Sequence, residues 1–233
     1  MLHLADEGEA ADLAAFLSRL LHYDRSAAVR LQAAGTALAV FGRPPSFEVL
    51  AVRTVRLAKP YENGLDVTLD VTVSAGELLE SVDERAATAR VPGSVTGPPW
   101  AGVLPPRGGW RAEPGLPAPD ALRALVAAAV AEFRARTEEL AAEDRTRAAL
   151  DGIGRDIWSR TVGDTGLPVR AVHAAQSLGF LRPRGASGPG TGPGSGEDAP
   201  RLFSSGAWLR LRTPFGSVAL RRAGTGALGI SVR

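Results

Sequence analysis

Ala207-Trp-Leu-Arg-Leu-Arg-Thr-Pro-Phe-Gly-Ser-Val-Ala-Leu-Arg-Arg222 reads as two strands and a turn. Leu209 and Leu211 alternate with Trp208, Arg210 and Arg212. After Thr213-Pro214-Phe215-Gly216, Val218 and Leu220 alternate with Ser217, Ala219 and Arg221. A period of two gives a strand one apolar and one wet face, the signature of an antiparallel sheet. The wet face here collects Arg210, Arg212 and Arg221 beside Trp208, and a basic strand face carrying an aromatic can track a phosphate backbone.

Upstream, the tract 185–200 is dominated by Gly, Pro and Ser and is expected to be a flexible loop, because it cannot bury enough apolar surface to offset the entropy of ordering. A short helix is predicted before it, over 167–178. Pro168 sits in its first turn and Gly179 stops it. Leu167, Ala171, Ala175 and Leu178 make the inner stripe. Arg170, His173, Gln176 and Ser177 project on the other side. Two further helices precede this one. The first runs from Pro119, with Leu122, Leu125, Val126, Ala129, Val130 and Phe133 as its stripe. The second spans about 144–162 and is weakened by Gly152 and Gly154.

The N-terminal part reads as a helix followed by strands. Leu13, Phe16, Leu17, Leu20 and Leu21 fall on one helical face, and Asp6, Glu7 and Glu9 crowd its positive end. Strands are predicted over 28–32, 36–41, 47–57 and 65–73, the third with a slip at 53–56 that suggests a bulge. In the fourth, Val67, Leu69, Val71 and Val73 alternate with Asp66, Thr68, Asp70 and Thr72, which makes Asp66 and Asp70 outward-facing charges. Ser74-Ala75-Gly76-Glu77 matches a capping box opening a helix to about residue 85. A further strand over 87–91 and a Pro/Gly-rich connector over 92–117, holding Trp100 and Trp110, complete this part. No internal repeat stands out. The fold class is therefore α+β: a helix-plus-antiparallel-sheet domain over 1–112, then a helical domain with a C-terminal β-hairpin over 118–233.

Composition narrows the chemistry. There is no cysteine, so disulfides, thiolate zinc sites and cysteine catalysis are excluded. His3, His22 and His173 stand at no metal-ligand spacing, and no metal site or cofactor is expected. The single lysine, Lys59, precludes a Walker loop, and no Gly-x-Ser-x-Gly elbow occurs. The reading leans away from an enzyme. The longest apolar stretch, 124–131, is far shorter than the ~20 residues that span a bilayer, and the start carries no secretory pattern, so a cytoplasmic protein without membrane contact is expected. Residues 1–117 carry 11 basic and 14 acidic groups, whereas 151–233 carry 11 and 5. A basic C-terminal unit is compatible with a polyanionic partner.

The order helix, loop, basic hairpin resembles the winged helix-turn-helix family, with 167–181 in the place of the recognition helix and 203–222 in that of the wing. The resemblance implies a dimer on DNA, with Arg170, His173, Gln176, Arg210, Arg212 and Arg221 as contacts. Arg and Gln are the side chains suited to guanine and adenine edges. The whole chain is similar to an uncharacterised family of actinobacterial cytoplasmic proteins in Leu104-Pro-Pro-Arg-Gly-Gly-Trp110, Asp164-Thr-Gly-Leu-Pro168 and Ala207–Gly216. The arginine-for-lysine bias fits a GC-rich genome. Three readings of function stand side by side. The first is a non-enzymatic regulatory or adaptor protein that binds DNA through its C-terminal unit. The second is a protein–protein module, paired with itself or another protein, recognising its partner through Trp100 and Trp110. The third is a small-molecule binder or enzyme with its pocket between the halves.

Overall fold

The computed structural model describes residues 1–183 and 199–222. The tract expected to be a flexible loop, 185–200, lies outside the described residues apart from its last two.

The strands are β1 (Leu2–His3), β2 (Ala28–Ala34), β3 (Ala37–Gly42), β4 (Leu50–Arg56), β5 (Leu69–Ser74), β6 (Thr88–Ala89), β7 (Arg111–Glu113), β8 (Arg201–Ser205), β9 (Trp208–Thr213) and β10 (Gly216–Arg221). The helices are α1 (Glu7–Tyr23), α2 (Ala75–Glu80), α3 (Pro119–Glu138), α4 (Arg147–Trp158) and α5 (Val169–Ser177). The fold is α+β, as the alternation in the sequence requires. β1 and β6 form a small ribbon. The other eight strands form one sheet in the order β5-β2-β3-β4-β10-β9-β8-β7, antiparallel throughout.

The helices begin where local chemistry places them. The Asp6 carboxylate accepts from the Glu9 amide at 2.9 Å, Ser74 from Glu77 at 3.4 Å and Thr146 from Ala149 at 3.2 Å, satisfying amides that have no partner within the helix. All five helices supply side chains to one large core on one face of the sheet. Phe16 and Leu17 of α1, Leu78 of α2, Leu122 and Val126 of α3, Ile157 of α4 and Val172 of α5 pack there. That core joins the two sequence segments, and β4 pairs with β10 at the centre of the sheet. The opposite face is covered only in part. Trp100 and Leu104 of the connector lie as a strap over Phe41, Leu50 and Val52.

Several expectations are corrected. The slip at 53–56 is not a bulge: β3 and β4 pair without interruption from Ala37↔Arg56 to Gly42↔Ala51. Arg53 occupies a core-facing position because it is neutralised there. Its guanidinium donates to Glu9 and Asp12, both at 3.0 Å, and to the Phe215 carbonyl at 2.8 Å. β5 starts at Leu69 rather than Leu65, because Asn63 and Asp66 exchange backbone hydrogen bonds of 2.8 and 3.1 Å across Gly64–Leu65. Gly64 holds the positive φ of 65° that this tight turn demands, and Leu65 is left fully exposed at its tip. Asp70 is not a free surface charge, since Arg30 grips it through two donors at 2.8 and 2.9 Å. The described residues after the loop make three strands, not two. β8, β9 and β10 form a meander built into the sheet, closed by Gly206 at φ 55°.

A repeat missed in the sequence emerges from this topology. The meander β2-β3-β4 and the meander β8-β9-β10 meet at β4–β10, with α1 packed over β4 and α5 over β10. Adding 171 to Ala37–Gly42 gives Trp208–Thr213, the bounds of β9, and adding 171 to Gly35 gives Gly206; both glycines turn with φ near 55°. The strand pairs Ala34↔Ala37 and Ser205↔Trp208 correspond by the same offset. In the third strand the offset is 165, matching Ala37↔Arg56 to Trp208↔Arg221. Under it the central pair Val52↔Ser217 maps onto itself, as a local two-fold axis through that pair requires. The sequences agree: Ala28, Arg30, Leu31, Gly35 and Leu38 match Ala199, Arg201, Leu202, Gly206 and Leu209.

Candidate functional site

The face of the sheet turned away from the helices concentrates cation and aromatic groups at its C-terminal end. Residues directly opposite in antiparallel strands share a face. The pairs Arg201↔Arg212, Phe203↔Arg210 and Trp208↔Arg221 therefore bring four arginines and two aromatic rings onto one surface from three neighbouring strands. Arg201, Arg212 and Arg221 are exposed. The Arg201 guanidinium lies 5.8 Å from the Phe203 ring centre. Arg210 is half-buried, with its guanidinium 5.7 Å from the Trp110 ring and its Nε donating to the Ser217 hydroxyl at 3.0 Å. Among the described residues, no carboxylate stands at ion-pair distance from any of the four. Burial, followed by repulsion from Arg212, lowers the Arg210 pKa.

The helix residues expected to join them lie elsewhere. α5 packs on the helix side of the sheet through Ala171, Val172, Ala174 and Ala175, so Arg170, His173 and Gln176 stand across the sheet from Arg210, Arg212 and Arg221. Arg170 faces Glu48, with 3.5 Å from Nε to the carboxylate. His173 is stacked on Trp158 at 4.6 Å and meets the Phe47 ring edge-on at 5.1 Å, and its burial lowers its pKa. Gln176 alone of the three is exposed. The structure thus separates the six residues into two surfaces. The third strand, β8, contributes Arg201 and Phe203, which sequence reasoning missed. The match of Arg201 to Arg30 around a common glycine turn was the signal that would have found them.

Trp100 is half-buried and packs on Phe41, Leu50 and Val52. Trp110 donates from Nε1 to the Pro106 carbonyl at 3.0 Å, closing the end of the strap against β9. Beside the strap a cleft of about 380 Å³ opens, with Phe41, Val52 and Leu104 as its apolar wall and Arg30, Arg107 and Arg210 as its basic one. Among the described residues, no group of three or more His, Asp or Glu side chains is arranged to hold a metal ion, and no helix is long and apolar enough to cross a membrane.

These features define an α+β protein with one covered sheet face and one arginine-bearing face. Its C-terminal segment, residues 105–225, matches the family described as Domain of unknown function (DUF8185), and the chain, of which this is just over half, belongs to that family. Residues 1–102 match a second, Domain of unknown function (DUF8010), so the boundary between the two falls in the strap. No curated protein matches the chain.

Proposed function

We propose that the protein is a non-enzymatic regulator that binds DNA through the outer face of β8, β9 and β10. One observation carries this reading: Arg201, Arg210, Arg212 and Arg221 share a sheet face with Phe203 and Trp208. Guanidinium groups neutralise phosphates and release counterions, while aromatic rings offer stacking surfaces to bases. The winged-helix resemblance would put α5 on the DNA instead. Against it, Arg170 is three-quarters buried beside Glu48, and His173 packs against Trp158 and Phe47. A cytoplasmic setting, where DNA is met, belongs to this reading.

Fluorescence anisotropy of labelled duplex and single-stranded DNA, titrated across salt, tests it. The expected result is binding that weakens steeply with salt. For duplex DNA, Arg212→Ala plus Arg221→Ala should flatten the slope of log K against log salt by about 2, one contact each at ~0.9. Arg170→Ala plus Gln176→Ala should leave it unchanged. If the second pair abolishes binding and the first does not, α5 is the contact surface. Flat anisotropy at low salt removes the DNA reading altogether.

A further inference from the structure

The cleft beside the strap brings cationic and apolar groups together in one concave space. Three arginines reach it from separate elements: Arg30 from β2, Arg210 from β9 and Arg107 from the strap. Among the described residues, the single carboxylate bonded to any of them is Asp70, which accepts both donors from Arg30 and a further one from Gln32 at 3.0 Å. Arg30 also donates to the Ala101 carbonyl, so its side chain, 25% exposed, is held at both ends. Its role is to fix one wall in place. Arg107 and Arg210 remain as cations without an ion-pair partner among the described residues. Arg210 spends only its Nε on a described partner, Ser217. A half-buried guanidinium left in this condition is stabilised by an anion brought from outside. The opposing wall of Phe41, Val52 and Leu104 has no use for a bare ion and favours an apolar body. Thr54 also lines the cleft. At about 380 Å³ the space lies in the range of small-molecule clefts and is too small for a folded partner.

We propose that this cleft binds a small organic anion, with a phosphate or carboxylate seated on Arg107 and Arg210 and its apolar body against Phe41, Val52 and Leu104. The proposal does not rest on DNA binding: Arg210 is common to the cleft and the outer face, but Arg201, Arg212 and Arg221 do not line the cleft and Arg107 is not part of that face.

Isothermal titration of the full chain with phenyl phosphate, benzoate, inorganic phosphate and neutral benzamide tests it. Phenyl phosphate or benzoate is expected to bind at least ten-fold more tightly than inorganic phosphate, and benzamide not at all. The tighter of the two identifies the head group. Arg107→Gln, at an exposed position, is expected to weaken binding ten-fold or more at unchanged melting temperature, and Arg210→Gln to weaken it as much. The variant Arg212→Ala plus Arg221→Ala should bind the probe as the wild type does. Equal affinity for phosphate and phenyl phosphate, indifference to Arg107→Gln, or no heat with any aromatic anion at ten millimolar would each overturn the proposal. None of these outcomes depends on whether DNA binds.

Discussion

Arg53 shows how one charged side chain ties the two segments together. Only 8% of it is exposed, and it holds Glu9, 11% exposed, together with Asp12 and the Phe215 carbonyl. Replacing it by an apolar residue leaves Glu9 with Arg56 alone and Asp12 with Arg182 alone, and takes the donor from the Phe215 carbonyl. Arg53→Met is therefore expected to cost about 1.5–3 kcal/mol in urea unfolding, the range of hydrogen bonds to charged groups. His173 makes a different prediction. Its pKa in the folded state lies below the ordinary 6.5, so the unfolded chain takes up a proton first as pH falls. The associated stability is present above pH 6.5 and is lost progressively below it, down to the folded-state pKa. Urea midpoints at pH 7.5 and pH 5 should drop more for the wild type than for His173→Phe. At Gly216, an added methyl would fall 2.5 Å from the Phe180 ring, and Gly216→Ala is expected to destabilise by about 1–3 kcal/mol.

At the scale of elements, α3 and α4 are joined by a surface network. Arg160 donates to both oxygens of Glu132 and to Asp156, and Arg136 bonds the same two carboxylates. Hydrogen bonds from Arg160 and Arg136 respectively hold the Glu132 and Asp156 carboxyls below their usual range. A lowered folded-state pKa gives stability that is present above the ordinary carboxylate value and lost as pH falls through the lowered one. Thermal melts between pH 5 and pH 2 should therefore decline less steeply for Glu132→Gln plus Asp156→Asn than for the wild type. The helix starts offer an opposite change. Ala118 precedes α3 with extended backbone and no side-chain cap, so Ala118→Ser should raise stability by about 0.5–1 kcal/mol. Most of these elements were legible in the sequence because their causes are local: the stripe of α1 and the acidic residues at its start, the cap at Ser74, the stop at Gly179. β6 lies within the strand expected over 87–91, whereas β1 and β7 were poorly legible because two or three residues carry no period, and their strand character comes from partners far along the chain. Arg53 misled for the same reason. Its burial depends on Glu9 and Asp12, forty or more residues away.

For the whole molecule, the sequence showed the composition of the arginine face but not its location. Alternation placed Arg210, Arg212 and Arg221 together. Nothing in the period said that α5 lies behind the sheet, so the six expected contact residues were grouped when the fold divides them. The β4–β10 seam makes a testable statement about integrity. A fragment ending at residue 104 keeps α1 and its meander but bares the β4 edge and loses the Phe215 carbonyl that Arg53 uses. An unpaired strand of this kind seeks another. Sedimentation should find the fragment dimeric or larger. A stable folded monomer would show that the halves do not need each other.

The local two-fold through Val52 and Ser217 has an implication for how such a protein changes. In a true homodimer each substitution appears twice, and a residue harmful in one copy is harmful in both. Two units carried on one chain escape that symmetry. Outward positions Ala37, Ala39 and Phe41 in one unit correspond to Trp208, Arg210 and Arg212 in the other, while inward Leu38 and Val40 correspond to Leu209 and Leu211. Along this middle strand the buried side is alike and the open side differs, so that one unit accepts its covering strap and the other presents arginines.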